Sequence, residues 1–527
     1  MHCVRYKAIY LCAGHLMSNI TASLSQNTVM YACDSGTYYV HIGLEIHCQI
    51  KSERKLFSWA PVGSSDAGPN QCVSFVDIAA PGMLPVLNRH AVAQGIRMGI
   101  ALNGTVNPYC IFDRKHYFYP DNPSGYQISQ HHHPLIEHGK VVIQVKDSVS
   151  TQTYSKTIRV QRLHLEQDAG KSMHDSGSGS LIDFNRAGVG LMEIVSHPDL
   201  SSPEEAASYV EHVQRLARHS KASDADMEKG QMRVDVNISV SRSLDQLGVR
   251  SEIKNMNSVR FLKAALYHEI QRHIEHIQDG TPLKQETRGF DPKKGATFSM
   301  RSKEKAEDYR YFPDPDLPRV HIDASWVAEI RAQMPELFEA KCARFMDAFQ
   351  LSAYDSQLLC DTPEVADFFE ATERAFPKAH QKSGNVSKLS ANWITGALFA
   401  SLQDKSNIAQ EVKFSPTQYA EFIVCVAEKI ISTPVAKEIF QEMLQNGGSV
   451  SDIMKEKGIE ATPLGAQDFT QIIEEVCQEN AGQVAQYLAG KDKLFMFFVG
   501  QTMKKLQGRG NPEDIQHAWR THFEAQQ

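Results

Sequence analysis

Residues Tyr38–Lys51, YYVHIGLEIHCQIK, alternate with a period of two. Val40, Ile42, Leu44, Ile46, Cys48 and Ile50 fall on one side; His41, Gly43, Glu45, His47, Gln49 and Lys51 fall on the other. Such alternation marks a half-buried β-strand, because successive strand residues point to opposite faces of a sheet. Residues two apart on a strand lie about 6.5–7 Å apart and point the same way. Glu45 and His47 are therefore placed to share one metal ion or one substrate, or else to form a solvated outer face.

Two later segments repeat the pattern. Val234, Val236, Ile238 and Val240 alternate with Asp235, Asn237 and Ser239, and Arg233 extends the polar row. Arg162, His164, Glu166 and Asp168 alternate with Leu163, Leu165 and Gln167. Three strands that each pair an oily face with acids, bases and amides predict one antiparallel sheet whose polar side floors a reaction cleft.

At 527 residues the chain is long enough for two to four domains with a large core. Its formal charge of -7 means that nucleic acid would have to be met by local basic patches. No apolar run reaches the length of about 18 residues that a membrane-spanning helix needs, so no membrane insertion is expected. The ten cysteines are scattered without a C-x-x-C, which supports neither a zinc site nor a redox motif; no zinc is expected.

Residues 1–33 hold no Asp or Glu but do hold Arg5, Lys7 and several Ser and Thr. That composition suits a mitochondrial transit peptide or a disordered N-terminus, and residues 1–37 are assigned so. Residues 38–323 read as one α+β domain. In it Asn88 caps a helix through Leu102, Ser202-Pro203-Glu204-Glu205 starts a second, and a third follows Ser258. Asp113–Gln130, DRKHYFYPDNPSGYQISQ, is dense in aromatics, bases, Pro and Gly without a helical period, and reads as an ordered functional loop. His131–His133 invites a metal reading, but adjacent histidines diverge on any regular element. From about Asp323 only helical patterns remain, around 326–349, 363–376, 389–403, 415–429, 433–446, 468–489 and 491–507. These are divided into a helical domain over 324–380 and a second helical region over 381–527. The last segment carries Lys504, Lys505 and Arg509 beside an apolar block, a basic rim suited to RNA phosphates.

Nucleotide motifs are absent: Gly170-Lys171-Ser172 lacks the first Gly of a P-loop, and no G-x-G-x-x-G follows a strand. His41-Ile42-Gly43-Leu44 and Ser299–Lys303 are similar to the two signatures of class I aminoacyl-tRNA synthetases. There the first signature opens a helix, whereas here it lies inside a strand pattern.

The longer motifs resemble one family throughout. IGLEIHCQIK, DIAAPGMLPVLN, DRKHYFYPDNPSGYQISQ, RLHLEQDAGK, DFNRAGVGLMEIVSHPD, MEKGQMRVDVNISV, EIKNMNS, ETRGFD and EKAEDYRYFPDPDLP occur in order. They resemble the B subunits of glutamyl-tRNA(Gln) amidotransferases, the GatB/GatE family. ANWITGAL and GKDKLFMFFVGQTMKKLQGRGNP resemble that family's YqeY-like C-terminal region. The resemblance implies an α+β, antiparallel-sheet catalytic cradle followed by an all-α region with a YqeY-like, tRNA-binding tail. It implies a heterotrimer with a glutaminase A subunit and a small C subunit. It implies ATP and Mg²⁺ as cofactors, and conversion of misacylated Glu-tRNA(Gln) to Gln-tRNA(Gln) through a γ-phosphoryl intermediate, with a non-catalytic tRNA-presenting scaffold as the alternative.

The polar sheet face is suited to that chemistry. Phosphoryl transfer needs charge neutralisation, usually from Mg²⁺ and from Lys or Arg. Glu45, His47, Lys115, Arg233, Asp235 and Lys254 are the expected catalytic residues; Glu45, His47, Glu166 and Glu193 the expected metal ligands; and Lys171, Arg233 and Lys254 the expected phosphate ligands. Many bacterial members carry a second glutamate where this chain has Gln167, a suggested metal ligand. The Gln form, together with Gly190, is associated with organellar members and adds to the mitochondrial reading.

Overall fold

The computed structural model describes residues 11–12, 15–16, 21–25, 28–63, 67–146, 153–173, 179–302, 308–381, 383–458, 466–505 and 512–524. The chain divides into two compact units, Met1–Leu337 and Phe338–Gln527.

The first unit is built on an eleven-stranded sheet. Its strands are β1 (Thr21–Ser25), β2 (Thr28–Cys33), β3 (Gly36–Gln49), β4 (Thr105–Val106), β5 (Ile136–Lys146), β6 (Thr153–Gln167), β7 (Gly190–Ser196), β8 (Met232–Ser241), β9 (Ser251–Met256), β10 (Glu286–Asp291) and β11 (Ala296–Ser302). They run in the order β11-β10-β9-β8-β3-β7-β6-β5-β4, and β2 and β1 extend from the start of β3. The α+β class is as expected, but the sheet is mixed: β9 and β10 pair in parallel. Helix α3 (Val259–Gln278) lies between those two strands in the chain, and a parallel pair requires such a crossover.

The period-two strand at Tyr38–Lys51 is β3, with Val40, Ile42, Leu44, Ile46 and Cys48 in the core. Helices α1 (Arg89–Ala101) and α2 (Pro203–His219) contribute to the same core through Val92 and Ile96 and through Tyr209 and Val213. Their starts are those read from the sequence. Asn88 accepts from His90 N at 2.9 Å, and Ser202 accepts from Glu205 N at 3.2 Å. The carboxylate of Glu205 departs from a capping box: it accepts from Ser201 N at 2.6 Å and from Lys156 at 2.7 Å.

Three expected boundaries move. The sheet begins before residue 38, because β1 pairs with β2, β2 pairs with the start of β3, and Tyr31 is fully buried. The rest of the proposed leader lies mostly outside the described residues. The 323/324 boundary shifts to Leu337, since Ile330 of α4 (Ala324–Ala332) belongs to the first core. Pro335 follows, and the helix expected over 326–349 is split there because proline cannot donate to a helix and disfavours helical geometry in the residue before it. Across the expected division at 380/381, Phe338–Phe376 and Val386–Met454 share one core. Phe368, Phe414 and Tyr419 pack together across it with ring centroids 5.6–6.4 Å apart. A separate core joins Ile473, Val476, Phe498, Trp519 and Phe523 in the last helices.

Among the described residues, no helix is long and apolar enough to cross a membrane.

Candidate active site

The register of β8, β3, β7 and β6 sets a row of side chains across the polar face of the sheet. Arg233 opposes His47, His47 opposes Glu193, and Glu193 opposes His164. One step along, Asp235 opposes Glu45, and Glu166 opposes Leu191. His47 Nε2 lies 3.2 Å from Glu193 Oε2 and 3.6 Å from Glu166 Oε1. His164 closes the far side, with Nε2 at 3.4 Å from Glu193 Oε2, and Ser129 Oγ donates to Glu166 at 3.3 Å.

His47, Glu166 and Glu193 each offer a ligand atom within 4.8 Å of the others. Around Mg²⁺, whose ligands stand at about 2.1 Å, neighbouring octahedral ligands sit about 3 Å apart, and the His47–Glu193 separation of 3.2 Å is close to that spacing. Burial alone would push the His47 imidazole down; Glu193, Glu166 and Asp235 outweigh it and raise its pKa to about 9. Burial would likewise raise Glu193, but His164 and His47 hold it well below the carboxylate range.

Glu45 stands apart from this group. Its Oε1 accepts from Asn237 Nδ2 at 2.9 Å, and burial, with Glu193 nearby, raises its pKa. It was expected among the metal ligands; its carboxylate is not one of the three ligand atoms that lie within 4.8 Å of one another.

A cleft of about 680 Å³ opens above the row, lined by His47, Lys115, Glu166, Arg233, Asp235 and Lys254 among others. Lys254 bridges Asp235 at 3.4 Å and Glu252 at 3.0 Å. Arg233 binds Asp168 at 2.7 Å. Lys115 Nζ sits 5.1 Å from the centre of the Tyr309 ring. Lys171 does not line the cleft: it is exposed on a short ribbon pairing Lys171–Met173 with Leu181–Asp183.

Arg186 was not anticipated as a site residue. It reaches the cleft from the turn after Phe184, 3.5 Å from Asp168, and its guanidinium donates to the Gly170 carbonyl at 2.7 Å. The DFNRAGVG run was visible as a motif, but no strand periodicity marks where its arginine points. His164 was visible in the alternating row, without a role.

Of the other candidates, His131 stacks on Tyr311 at 4.1 Å, so the triple histidine packs against aromatics. His41 lies inside β3, which removes the class I synthetase reading; Lys303 lies outside the described residues. In the second unit, Lys504 and Lys505 end the helix Phe495–Lys505, and Glu475 and Glu479 neutralise Lys505 at 2.9 and 2.7 Å. Arg509 lies outside the described residues.

Comparison with known proteins agrees with this architecture. Residues 40–328 match the GatB/GatE catalytic domain, and residues 374–521 match the GatB domain of the Yqey type. The chain is 46% identical over 483 residues to the B subunit of an aspartyl/glutamyl-tRNA(Asn/Gln) amidotransferase of Gluconobacter oxydans, covering 91% of this chain and 96% of that protein. It is 45% identical over 485 residues to the protein of that description from Rickettsia rickettsii (91% and 96% covered), and 44% over 486 residues to that of Granulibacter bethesdensis (92% and 97%). The chain belongs to the GatB/GatE family, as a B subunit of a tRNA amidotransferase.

Proposed function

We propose that this chain converts Glu-tRNA(Gln) to Gln-tRNA(Gln), activating the γ-carboxylate of the glutamyl group with ATP. A carboxylate does not react with ammonia at neutral pH, because the leaving group would be oxide. Transfer of the γ-phosphoryl of ATP to a carboxylate oxygen gives an acyl phosphate and ADP. Ammonia then attacks the carbonyl carbon, and inorganic phosphate departs. The observation that carries this reading is one cleft in which an acid–imidazole cluster faces four cations, Lys115, Arg186, Arg233 and Lys254. Such positioning and charge neutralisation supply most of the catalysis of phosphoryl transfer.

His47, Glu166 and Glu193 would hold Mg²⁺, which would neutralise phosphate charge there. With its raised pKa, the His47 imidazole holds a proton at neutral pH until an ion binds, and binding at Nε2 would release it. Arg233, which opposes His47 across the ladder, and Lys254, beside Asp235, would bind the transferred group. Lys115 and Arg186 neutralise the carboxylate being activated. Glu45 orients the floor through Asn237.

Ammonia would come from a glutaminase A subunit, with a small C subunit completing a heterotrimer. The YqeY-like tail would hold the tRNA through Lys504 and Arg509. The acid-poor residues 1–20, which precede the β1–β2 hairpin, support a mitochondrial matrix location.

The test is reconstitution with A and C subunits, Glu-tRNA(Gln), ATP, Mg²⁺ and glutamine, followed by hydrolysis of the ester and identification of the released amino acid. Glutamine that depends on ATP and on this chain supports the reading. Glutamate alone, from an assembled and tRNA-bound complex, would instead make the chain a non-catalytic scaffold.

A further inference from the structure

Two charged side chains outside the cleft, Lys55 and Asp77, are only 0% and 2% exposed, with Nζ and Oδ2 3.1 Å apart. A buried ion pair adds little net stability over apolar groups of the same volume, because desolvating two charges costs about what their attraction returns. The bonds of this pair are instead local and directional. Lys55 Nζ donates to the Phe184 carbonyl at 3.3 Å, and the adjoining Leu56 N donates to the Gly188 carbonyl at 3.0 Å. Asp77 packs against Gly188, where a β-carbon would sit 2.7 Å from Oδ1 and where φ is 81°. The Phe184–Gly188 turn thus rests on the pair and its neighbour at both ends.

The turn is also closed from within and tied to the segment that leads to Asp77. Ala187 N donates to the Phe184 carbonyl at 3.1 Å, and Val189 N to the Arg186 carbonyl at 3.0 Å. Phe184 N donates to Asn70 Oδ1 at 2.7 Å, and Cys72 N to Asn185 Oδ1 at 2.8 Å. Arg186 stands in the middle of this turn. Its guanidinium donates to the Ala169 and Gly170 carbonyls at 3.0 and 2.7 Å, on the wall of the cleft. A side chain on an irregular turn has no strand register to fix it, and a misplacement of about 1 Å at a reacting centre can cost about 100-fold in rate.

We propose that Lys55 and Asp77 are positioning residues for Arg186, holding the Phe184–Gly188 turn so that the guanidinium meets the carboxylate being activated. The inference rests on the function proposed above and deepens it, adding two residues that act on the reaction without touching substrate.

The test uses the full chain assembled with its partner subunits. Lys55→Met/Asp77→Asn removes both charges at nearly constant volume, and the new amide oxygen can still accept from Ser74 N, as Asp77 does at 2.8 Å. Asp77→Asn alone replaces it if the double variant melts early or fails to assemble. Amidation of Glu-tRNA(Gln), with ammonium chloride as donor, is followed with Arg186 intact and with Arg186→Gln. Backbone hydrogen exchange over residues 183–190 is measured in parallel. With Arg186 intact, kcat/KM is expected to fall about tenfold or more. With Arg186→Gln in place, the same change is expected to cost about twofold or less, because residues that act through one group are not additive. Exchange should quicken in the turn while β3 stays protected. An equal loss in both backgrounds would make the pair a general support of the fold and overturn the proposal. Unchanged kcat/KM with Arg186 intact, or unchanged exchange in the turn, would do the same. A native complex that does not amidate Glu-tRNA(Gln) would overturn the reaction assigned above, and exchange in the turn would then decide alone whether the pair holds it.

Discussion

His47 and Glu193 face each other across the ladder between β3 and β7, with imidazole and carboxylate 3.2 Å apart. The pair joins the two central strands at the point where Glu166 also converges. Replacing Glu193 with Gln removes the charge of a proposed ligand and the strongest support of the His47 proton. Divalent-metal affinity, measured by calorimetry with Mn²⁺, is expected to fall at least tenfold, as losses at supporting groups alone reach about 10–100-fold. An affinity within threefold of native would remove Glu193 from the site.

Gln167 opposes Gly190 on the opposite side of the same sheet. It follows Leu163 and Leu165 in the period of β6, and a β-carbon on Gly190 would sit 3.0 Å from Ile50 in the core. Restoring the bacterial glutamate by Gln167→Glu is therefore expected to change Mn²⁺ affinity by less than about threefold. A tenfold gain would show that the side chain curls into the cleft.

Glu373 is buried in the second unit, where it accepts from Ser387 Oγ at 2.9 Å while its Oε1 has no partner. Burial raises its pKa from the usual 4.5 to about 7. The folded state then holds the proton more tightly than the unfolded one. This favourable contribution is complete below about pH 4.5 and is lost as pH rises through 7. Glu373→Gln should raise stability near pH 8, by at most about 3 kcal/mol, and leave it nearly unchanged at pH 4.5. Thermal melts at the two pH values check this; equal shifts at both would refute it.

Lys504 and Lys505 are neighbours with different surroundings. Lys505 is held by Glu475 and Glu479, so its charge is already offset. Lys504→Ala is expected to weaken tRNA binding more than Lys505→Ala and to lower the salt dependence of binding by about one counterion. Equal effects, read from filter-binding titrations over a salt range, would count against a phosphate contact at Lys504.

The hairpin of β1 and β2 is part of the folded sheet: Tyr31 is fully buried, and Val29 N donates to Ser201 Oγ at 3.0 Å. Tyr31→Ala should lower stability by about 3 kcal/mol, as for other large aromatic truncations. A denaturation midpoint unchanged from native would place this hairpin outside the cooperative fold.

The sequence by itself determined the strands that carry the site, the starts of the main helices, and which face of those strands was polar. These are local matters of period and capping, and each is written in a dozen residues or fewer. Strand neighbours were beyond its reach. Only the register shows that His47 meets Glu193 and Glu166 while Glu45, two residues away, turns to Asn237. Pairing is a long-range choice made by the whole core, so adjacency across it is not legible in any one segment. For the same reason Lys171, plausible by charge, lies outside the cleft, and Arg186, in an irregular turn without periodicity, lies within it. The domain limits moved because burial set them: Ile330 packs with the sheet, and Phe368 packs with Phe414 and Tyr419 far along the chain.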